Sequence, residues 1–212
     1  MSGQKKIGVA IVDDHQLFRN GLKFIIENEA DMEIVIQASN GKEFMKYLEN
    51  LKPDVVLMDI NMPEMDGVET TRQCLLRYPD LHVLVLSMYS DIEYYNTMIE
   101  LGVKGFILKD IDNDELSGAI RKVFSGGTYF SQELLLRLIK HKPEGAGVDF
   151  TRREKEILEL ICKGYSNLQI SEELYISQRT VERHRSSLLD KTNSKNSISL
   201  VVYAIKNNLV KI

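Results

Sequence analysis

Over its first 125 residues the chain alternates short apolar runs with longer stretches in which apolar residues recur every three or four positions. The runs Ile7–Val12, Glu33–Ala38, Asp54–Met58, His82–Ser87 and Lys104–Leu108 are mostly near-continuously apolar. Parallel strands covered on both faces have that character. Between and after the runs, the helical period predicts helices near Leu17–Asn28, Gly41–Leu51, Gly67–Tyr78, Ile92–Gly102 and Asp112–Ser125. Five βα units in succession predict an α/β fold, a doubly wound five-stranded parallel sheet.

The period then changes. Gly126-Gly127 interrupts the fifth helix, Ser131-Gln-Glu-Leu starts a capped helix reaching about His141, and Pro143, Gly145 and Gly147 make His141–Asp149 a linker. Beyond it only helical patterns remain. Thr151-Arg-Arg-Glu154 is a capping box opening a helix that ends near Gly164, followed by Asn167–Leu174, Gln178–Thr192 and Asn196–Asn208. The expected organisation is residues 1–125 as the α/β domain, 126–149 as connecting helix and linker, and 150–212 as a small all-α four-helix domain.

Composition narrows the picture. Net charge is −7 over residues 1–147 and +3 over 148–212, so the two parts suit different partners. No apolar run approaches the length of a membrane span, and a cytoplasmic, soluble protein is expected. Cys74 and Cys162 are isolated, which argues against a disulfide framework or a zinc site.

Candidate chemistry comes from the strand ends. In an open α/β sheet, ligands bind beyond the carboxyl ends of the strands, where strand order reverses. In a flavodoxin-like order that point lies between strands one and three. Strand one ends in Asp13-Asp14, strand three in Asp59, strand four in Ser87 and strand five in Lys109. Singly, each has a plain structural use: Asp14 as a helix cap, Lys109 as surface charge. Together they converge on one rim. Clustered carboxylates need a cation, and an oxygen-only set selects Mg²⁺ (or Mn²⁺) over zinc. A carboxylate can also accept a phosphoryl group covalently, with a lysine and a hydroxyl at hand for its oxygens.

The runs Val12-Asp13-Asp14-His15 and Met58-Asp59-Ile60-Asn61-Met62-Pro63-Glu64-Met65-Asp66-Gly67, with Ser87 and Gly105-Phe106-Ile107-Leu108-Lys109-Asp110, resemble the receiver domain of two-component response regulators. The resemblance implies that Asp59 accepts phosphate from a sensor histidine kinase. It implies that Asp13, Asp14, Asp59 and the backbone carbonyl of Asn61 bind Mg²⁺, that Lys109 pairs with the phosphate, and that Ser87 and Phe106 form a switch pair. Three positions depart from the commonest receiver pattern or bear on hydrolysis. Met88 stands where a small residue is common and is expected to narrow the pocket. Tyr89 and Asn61 sit where they would meet attacking water and set phosphate lifetime.

In the C-terminal part, Gly164 to Arg185 reads as helix, turn, helix, with Ser177 as N-cap of the second helix. Val181, His184 and Leu188 share the inward face of that helix. Arg179, Glu182, Arg183 and Ser186 share the outward face, with Thr180, Arg185 and Lys191 flanking it. Such a helix fits a DNA major groove, Arg and Glu reading bases and the flanking groups meeting phosphates. Ser166-Asn167, Ile170-Ser171, Leu174, Ile176-Ser177, Thr180-Val181, His184-Arg185 and Lys191 resemble the LuxR-type domain of the NarL/FixJ subfamily. That resemblance implies double-stranded DNA as partner, an inverted-repeat operator, a homodimer when active, and no enzymatic role beyond self-phosphorylation and slow autodephosphorylation. Two rival readings stand beside it. One is a phosphohydrolase with an aspartyl nucleophile, disfavoured by Asn61 where a second Asp is required. The other is an interaction module without phosphorylation, disfavoured by the complete pocket.

Overall fold

The computed structural model describes residues 5–88, 92–130, 148, 150–207 and 209–210. Tyr89, the expected helix at 131–141 and, residue 148 apart, the expected linker at 141–149 lie outside the described residues. The chain divides into two compact units, Met1–Phe124 and Ser125–Ile212.

The N-terminal unit follows the predicted alternation: β1 (Ile7–Val12), α1 (Gln16–Glu27), β2 (Met32–Ala38), α2 (Gly41–Leu48), β3 (Val55–Asp59), α3 (Gly67–Arg77), β4 (His82–Ser87), α4 (Ile92–Leu101), β5 (Gly105–Leu108) and α5 (Asn113–Phe124). Within this unit the strand order is β2-β1-β3-β4-β5; a further two-residue strand, Tyr129–Phe130, falls in the second unit. The β1, β3 and β4 pairings are parallel, and every residue of β1, β3 and β5 is buried. Burial on both faces is why these strands read as unbroken apolar runs. Strand order reverses at β1, which lies between β2 and β3. Register sets Val12 beside Met58, Asp59 beside Leu86 and Ser87 beside Leu108.

Local chemistry fixes the helix starts near that edge. Asn40 caps α2 by accepting from the Glu43 amide at 2.9 Å, and Asp66 caps α3 by accepting from the Glu69 amide at 2.8 Å. A Cβ on Gly67 would lie 1.9 Å from the Asp59 carbonyl oxygen, so only glycine lets α3 begin this close to the end of β3. α1 starts at Gln16 with His15 at the cap position and no side-chain cap. The capping use open to Asp14 is therefore not the one seen.

The C-terminal unit contains α6 (Arg152–Cys162), α7 (Asn167–Glu173), α8 (Gln178–Thr192) and α9 (Ser197–Lys206). Capping boxes open α6, α7 and α9, and Ser177 caps α8 by accepting from the Thr180 amide at 3.1 Å. Each box satisfies two backbone donors, which matters in helices as short as α7. Ile157, Leu158, Ile161, Ile170, Val181, Leu188, Val201 and Ala204 form the core.

Candidate functional site

The site of the N-terminal unit is built from strand ends. Asp13 follows β1, Asp59 closes β3, Ser87 closes β4, and Lys109 follows β5. Asp13 is fully buried and Asp59 is 2 % exposed. Both carboxylates converge on one ammonium: Lys109 Nζ lies 2.7 Å from Asp13 Oδ2 and 2.9 Å from Asp59 Oδ2. The other oxygens take backbone donors, His15 N at 2.8 Å from Asp13 Oδ1 and Ile60 N at 2.8 Å from Asp59 Oδ1. Lys109 is held further by the Phe18 ring, whose centre lies 5.1 Å from Nζ.

Burial pushes the Asp59 carboxyl up to about 6, and the neighbouring Asp13 charge adds to the rise that Lys109 opposes. Burial works against the Lys109 charge, but its bonds to Asp13 and Asp59 outweigh it and hold its pKa above the usual lysine value. Oxygens of Asp13, Asp14 and Asp59 and a ring nitrogen of His15 all lie within 4.8 Å of one another. A set this rich in oxygen, with two buried carboxylates sharing a single lysine, fits a hard divalent cation. The Asn61 side of the site is exposed, on the turn after β3.

A cavity of about 480 Å³ opens beside these groups, lined by His15, Leu17, Phe18, Ser87, Met88, Lys109 and Asp110. Met88 lines it while remaining 54 % exposed, so it forms a wall and part of the rim. Phe106 is fully buried, beside Val85 of β4. Two residues here carry no signal in the pattern of strand ends. His15 Nδ1 lies 2.8 Å from Asp14 Oδ1 and 3.5 Å from Asp13 Oδ1. Tyr95 of α4 meets the Ser87 hydroxyl at 2.7 Å.

In the C-terminal unit, Arg179, Glu182, Arg183 and Ser186 form an exposed stripe on α8, spaced i, i+3, i+4 and i+7. Thr180 is half-buried, its hydroxyl 2.8 Å from that of Ser177. The two flanking cations have internal partners. Arg185 donates to Ser197 Oγ at 2.8 Å and to the Tyr165 carbonyl at 2.7 Å, and burial lowers its pKa to about 10. Lys191 Nζ lies 2.7 Å from Glu154 Oε2. Both side chains tie α8 to other helices, which the spacing along α8 alone does not reveal.

Comparison with known proteins covers both units. Response regulator receiver domains match residues 9–121, and bacterial regulatory proteins of the luxR family match residues 148–204. The transcriptional regulatory protein DegU of Brevibacillus brevis is 40% identical over 229 residues, covering 99% of this chain and 97% of the relative. The oxygen regulatory protein NreC of Staphylococcus carnosus is 36% identical over 213 residues, covering 95% and 98%. Among solved structures, the response regulator ChrA of a heme-sensing two-component system aligns at 30% identity with a TM-score of 0.53, over 97% of this chain and 99% of that one. RcsB of Salmonella enterica serovar Typhimurium, bound to a promoter in the presence of the phosphomimetic BeF3⁻, aligns with a TM-score of 0.59 over 96% and 100%. At 22% identity that last likeness speaks for the fold alone.

Proposed function

The chain belongs to the two-component response regulators that join a receiver domain to a LuxR-type DNA-binding domain, and on that premise we propose that phosphorylation of Asp59 by a sensor histidine kinase controls its DNA binding. It is a transcription regulator. In the proposed division, residues 1–125 receive the signal, 126–149 connect, and 150–212 bind DNA. The observation that carries the reading is the sharing of Lys109 by the two buried carboxylates, Asp13 and Asp59, at the reversal of strand order.

Asp13, Asp14, Asp59 and the Asn61 carbonyl would hold Mg²⁺, with Mn²⁺ as a substitute. Bound there, the ion supplies positive charge that keeps Asp59 ionised and offsets the charge of an incoming phosphoryl group. Asp59 Oδ attacks phosphorus, the P–N bond of the kinase's phosphohistidine breaks, the histidine imidazole departs with the bonding electron pair, and the product is an aspartyl-phosphate. Lys109 stays on Asp13 and turns its remaining donors to a phosphoryl oxygen. Ser87 rotates to donate to another, and Phe106 moves into the space it vacates. Self-phosphorylation from a small donor and slow autodephosphorylation are the only reactions assigned to the chain. Asn61 and Tyr89 are proposed to set the lifetime of the phosphorylated form. Unchanged dephosphorylation in Asn61→Ala and Tyr89→Ala would remove that role.

The DNA reader is α8. Arg179, Glu182, Arg183 and Ser186 face base edges, and Thr180 meets a phosphate. Arg185 and Lys191 flank the interface, and their internal bonds make them holders of the helix as well. A homodimer on an inverted-repeat operator is the expected active form, as two-fold readers bind paired half-sites. Among the described residues no helix is long and apolar enough to cross a membrane, and the proposed place of action is the cytoplasm.

Genome-wide binding-site mapping of the wild type against Asp59→Ala tests the reading. Sites occupied by the wild type and lost in the variant are expected; equal occupancy would overturn phosphorylation control. The operator found this way permits a sharper test of α8. Arg183→Ala should weaken operator binding by about 1–3 kcal/mol, roughly 5- to 150-fold, with the melting temperature unchanged. Arg185→Ala should instead lower the melting temperature, because it removes two hydrogen bonds that join α8 to Tyr165 and Ser197. Fluorescence anisotropy on operator duplex and calorimetry on the same samples separate the two.

A further inference from the structure

Phosphoryl acceptance as proposed above requires the Ser87 hydroxyl to turn toward Asp59. In the structure that hydroxyl is engaged elsewhere. Ser87 Oγ donates to the Met88 carbonyl at 2.9 Å and lies 2.7 Å from the Tyr95 hydroxyl. A serine hydroxyl has one proton. With that proton on the Met88 carbonyl, Tyr95 is the donor to Ser87. Tyr95 is 1 % exposed, and its ring meets Phe106 edge to face, with centroids 4.9 Å apart and planes at 75°. One aromatic residue on α4 therefore touches both members of the expected switch pair. It bonds the polar member and packs against the apolar one.

We infer that Tyr95 is a positioning residue that latches the receiver in its unphosphorylated form, holding Ser87 away from the phosphorylation site and tying α4 to the switch. The inference rests on the phosphoacceptor role proposed for Asp59. When Ser87 turns to a phosphoryl oxygen, it leaves both the Met88 carbonyl and the Tyr95 hydroxyl. The bond to Tyr95 is buried, and breaking it weighs against the phosphorylated form. A shift of Phe106 into the space of Ser87 also breaks its edge-to-face contact with the Tyr95 ring. Release of Ser87 and displacement of α4 are thus one event, which carries a change at a single oxygen to a helix on the surface of the domain. Neither contact is visible from spacing alone, because Ser87 ends a strand and Tyr95 lies one turn into the following helix.

The test is a double-mutant cycle read by beryllofluoride binding, in Mg²⁺ buffer, on the full chain. Tyr95→Phe keeps the ring against Phe106 and removes only the hydroxyl, and Ser87 retains the Met88 carbonyl. It should bind beryllofluoride about 3- to 10-fold more tightly than wild type, the equivalent of one net hydrogen bond. Ser87→Ala should bind more weakly, and adding Tyr95→Phe to it should change nothing further, because the latch acts through Ser87. Unchanged or weaker binding by Tyr95→Phe overturns the inference, as does an equal gain in the Ser87→Ala background. Failure of the wild type to bind at all would sink the phosphoacceptor reading and the latch with it. That outcome is distinct from a wild type that binds while Tyr95 has no effect.

Discussion

Asp59→Asn should abolish phosphoryl transfer from a small phosphodonor and, with it, the donor-induced rise in operator affinity. Couplings between sites of this kind are worth about 1–3 kcal/mol, so roughly 5- to 150-fold in affinity should disappear, to the level of untreated wild type. Transfer is read with labelled donor in Mg²⁺ buffer, and affinity by anisotropy on the mapped operator. The variant should nevertheless fold, and melt higher. The carboxamide oxygen that replaces Oδ1 can still accept from the Ile60 amide, and Lys109 keeps Asp13. What goes is a carboxylate that burial and the Asp13 charge disfavour, with a pKa of about 6. A carboxyl whose folded pKa lies above its unfolded value of 3.8 destabilises the fold once ionised. That cost is absent below the unfolded pKa and complete above the folded one. Without divalent metal, the gain from Asp59→Asn should therefore be larger at pH 8 than at pH 4, by roughly 2 kcal/mol, the attraction of Lys109 being already contained in that pKa. A variant that loses phosphorylation yet is least stabilised at pH 8 would contradict the electrostatics assigned to the pocket. Stability given up for reactivity is common at functional sites.

The strand ends were legible because topology does the positioning. Once the βα alternation is read, the carboxyl ends of β1, β3, β4 and β5 must share an edge, and Asp13, Asp59, Ser87 and Lys109 follow. The stripe Arg179, Glu182, Arg183 and Ser186 was legible for a similar reason, since the helical period settles which residues share a face. What escaped depends on reach between elements. Lys191 and Arg185 read as flanking charge along α8, but their side chains are long enough to bond Glu154 and Ser197 on other helices and the Tyr165 carbonyl in the turn between α6 and α7. Tyr95 was hidden by the apolar pattern of α4, in which a tyrosine counts as core and its hydroxyl goes unread. Gly67 stood in the sequence only as the end of the motif and the start of a predicted helix, and its need for close approach to the Asp59 carbonyl emerges from the packing of α3 on β3.

Glu154 holds the largest stability prediction in the C-terminal unit. By sequence it is the last residue of a capping box, three beyond the N-cap, and nothing more. In the fold it is 4 % exposed, and its carboxylate accepts from the Thr151 amide at 2.8 Å, Ser187 Oγ at 2.8 Å and Lys191 Nζ at 2.7 Å. Burial pushes its pKa up, but these donors outweigh burial and bring it down to about 2, against 4.5 for a free glutamate. A depressed carboxylate contributes stability that is complete above the unfolded pKa and lost as pH falls through the folded one. The shift corresponds to about 2–3 kcal/mol, lost between roughly pH 5 and pH 2. Glu154→Ala should remove that amount at pH 7, undo the half of the α6 capping box that satisfies the Thr151 amide and free Lys191, with faster hydrogen exchange in the peptides of α6 and α8. Glu154→Gln keeps the capping geometry, since glutamine serves in the same box, and loses the charge alone. It should be destabilised less than Glu154→Ala at pH 7, and exchange in its α6 and α8 peptides should rise less steeply with acid than in wild type. Equal acid sensitivity of wild type and Glu154→Gln in those peptides would show that another carboxylate governs the acid loss. If the variant also binds operator with unchanged affinity at pH 7, the Glu154–Lys191 bond serves the fold and leaves recognition to the exposed stripe. If affinity rises, Lys191 is released to meet a phosphate, and the buried glutamate limits how far that cation takes part in DNA binding.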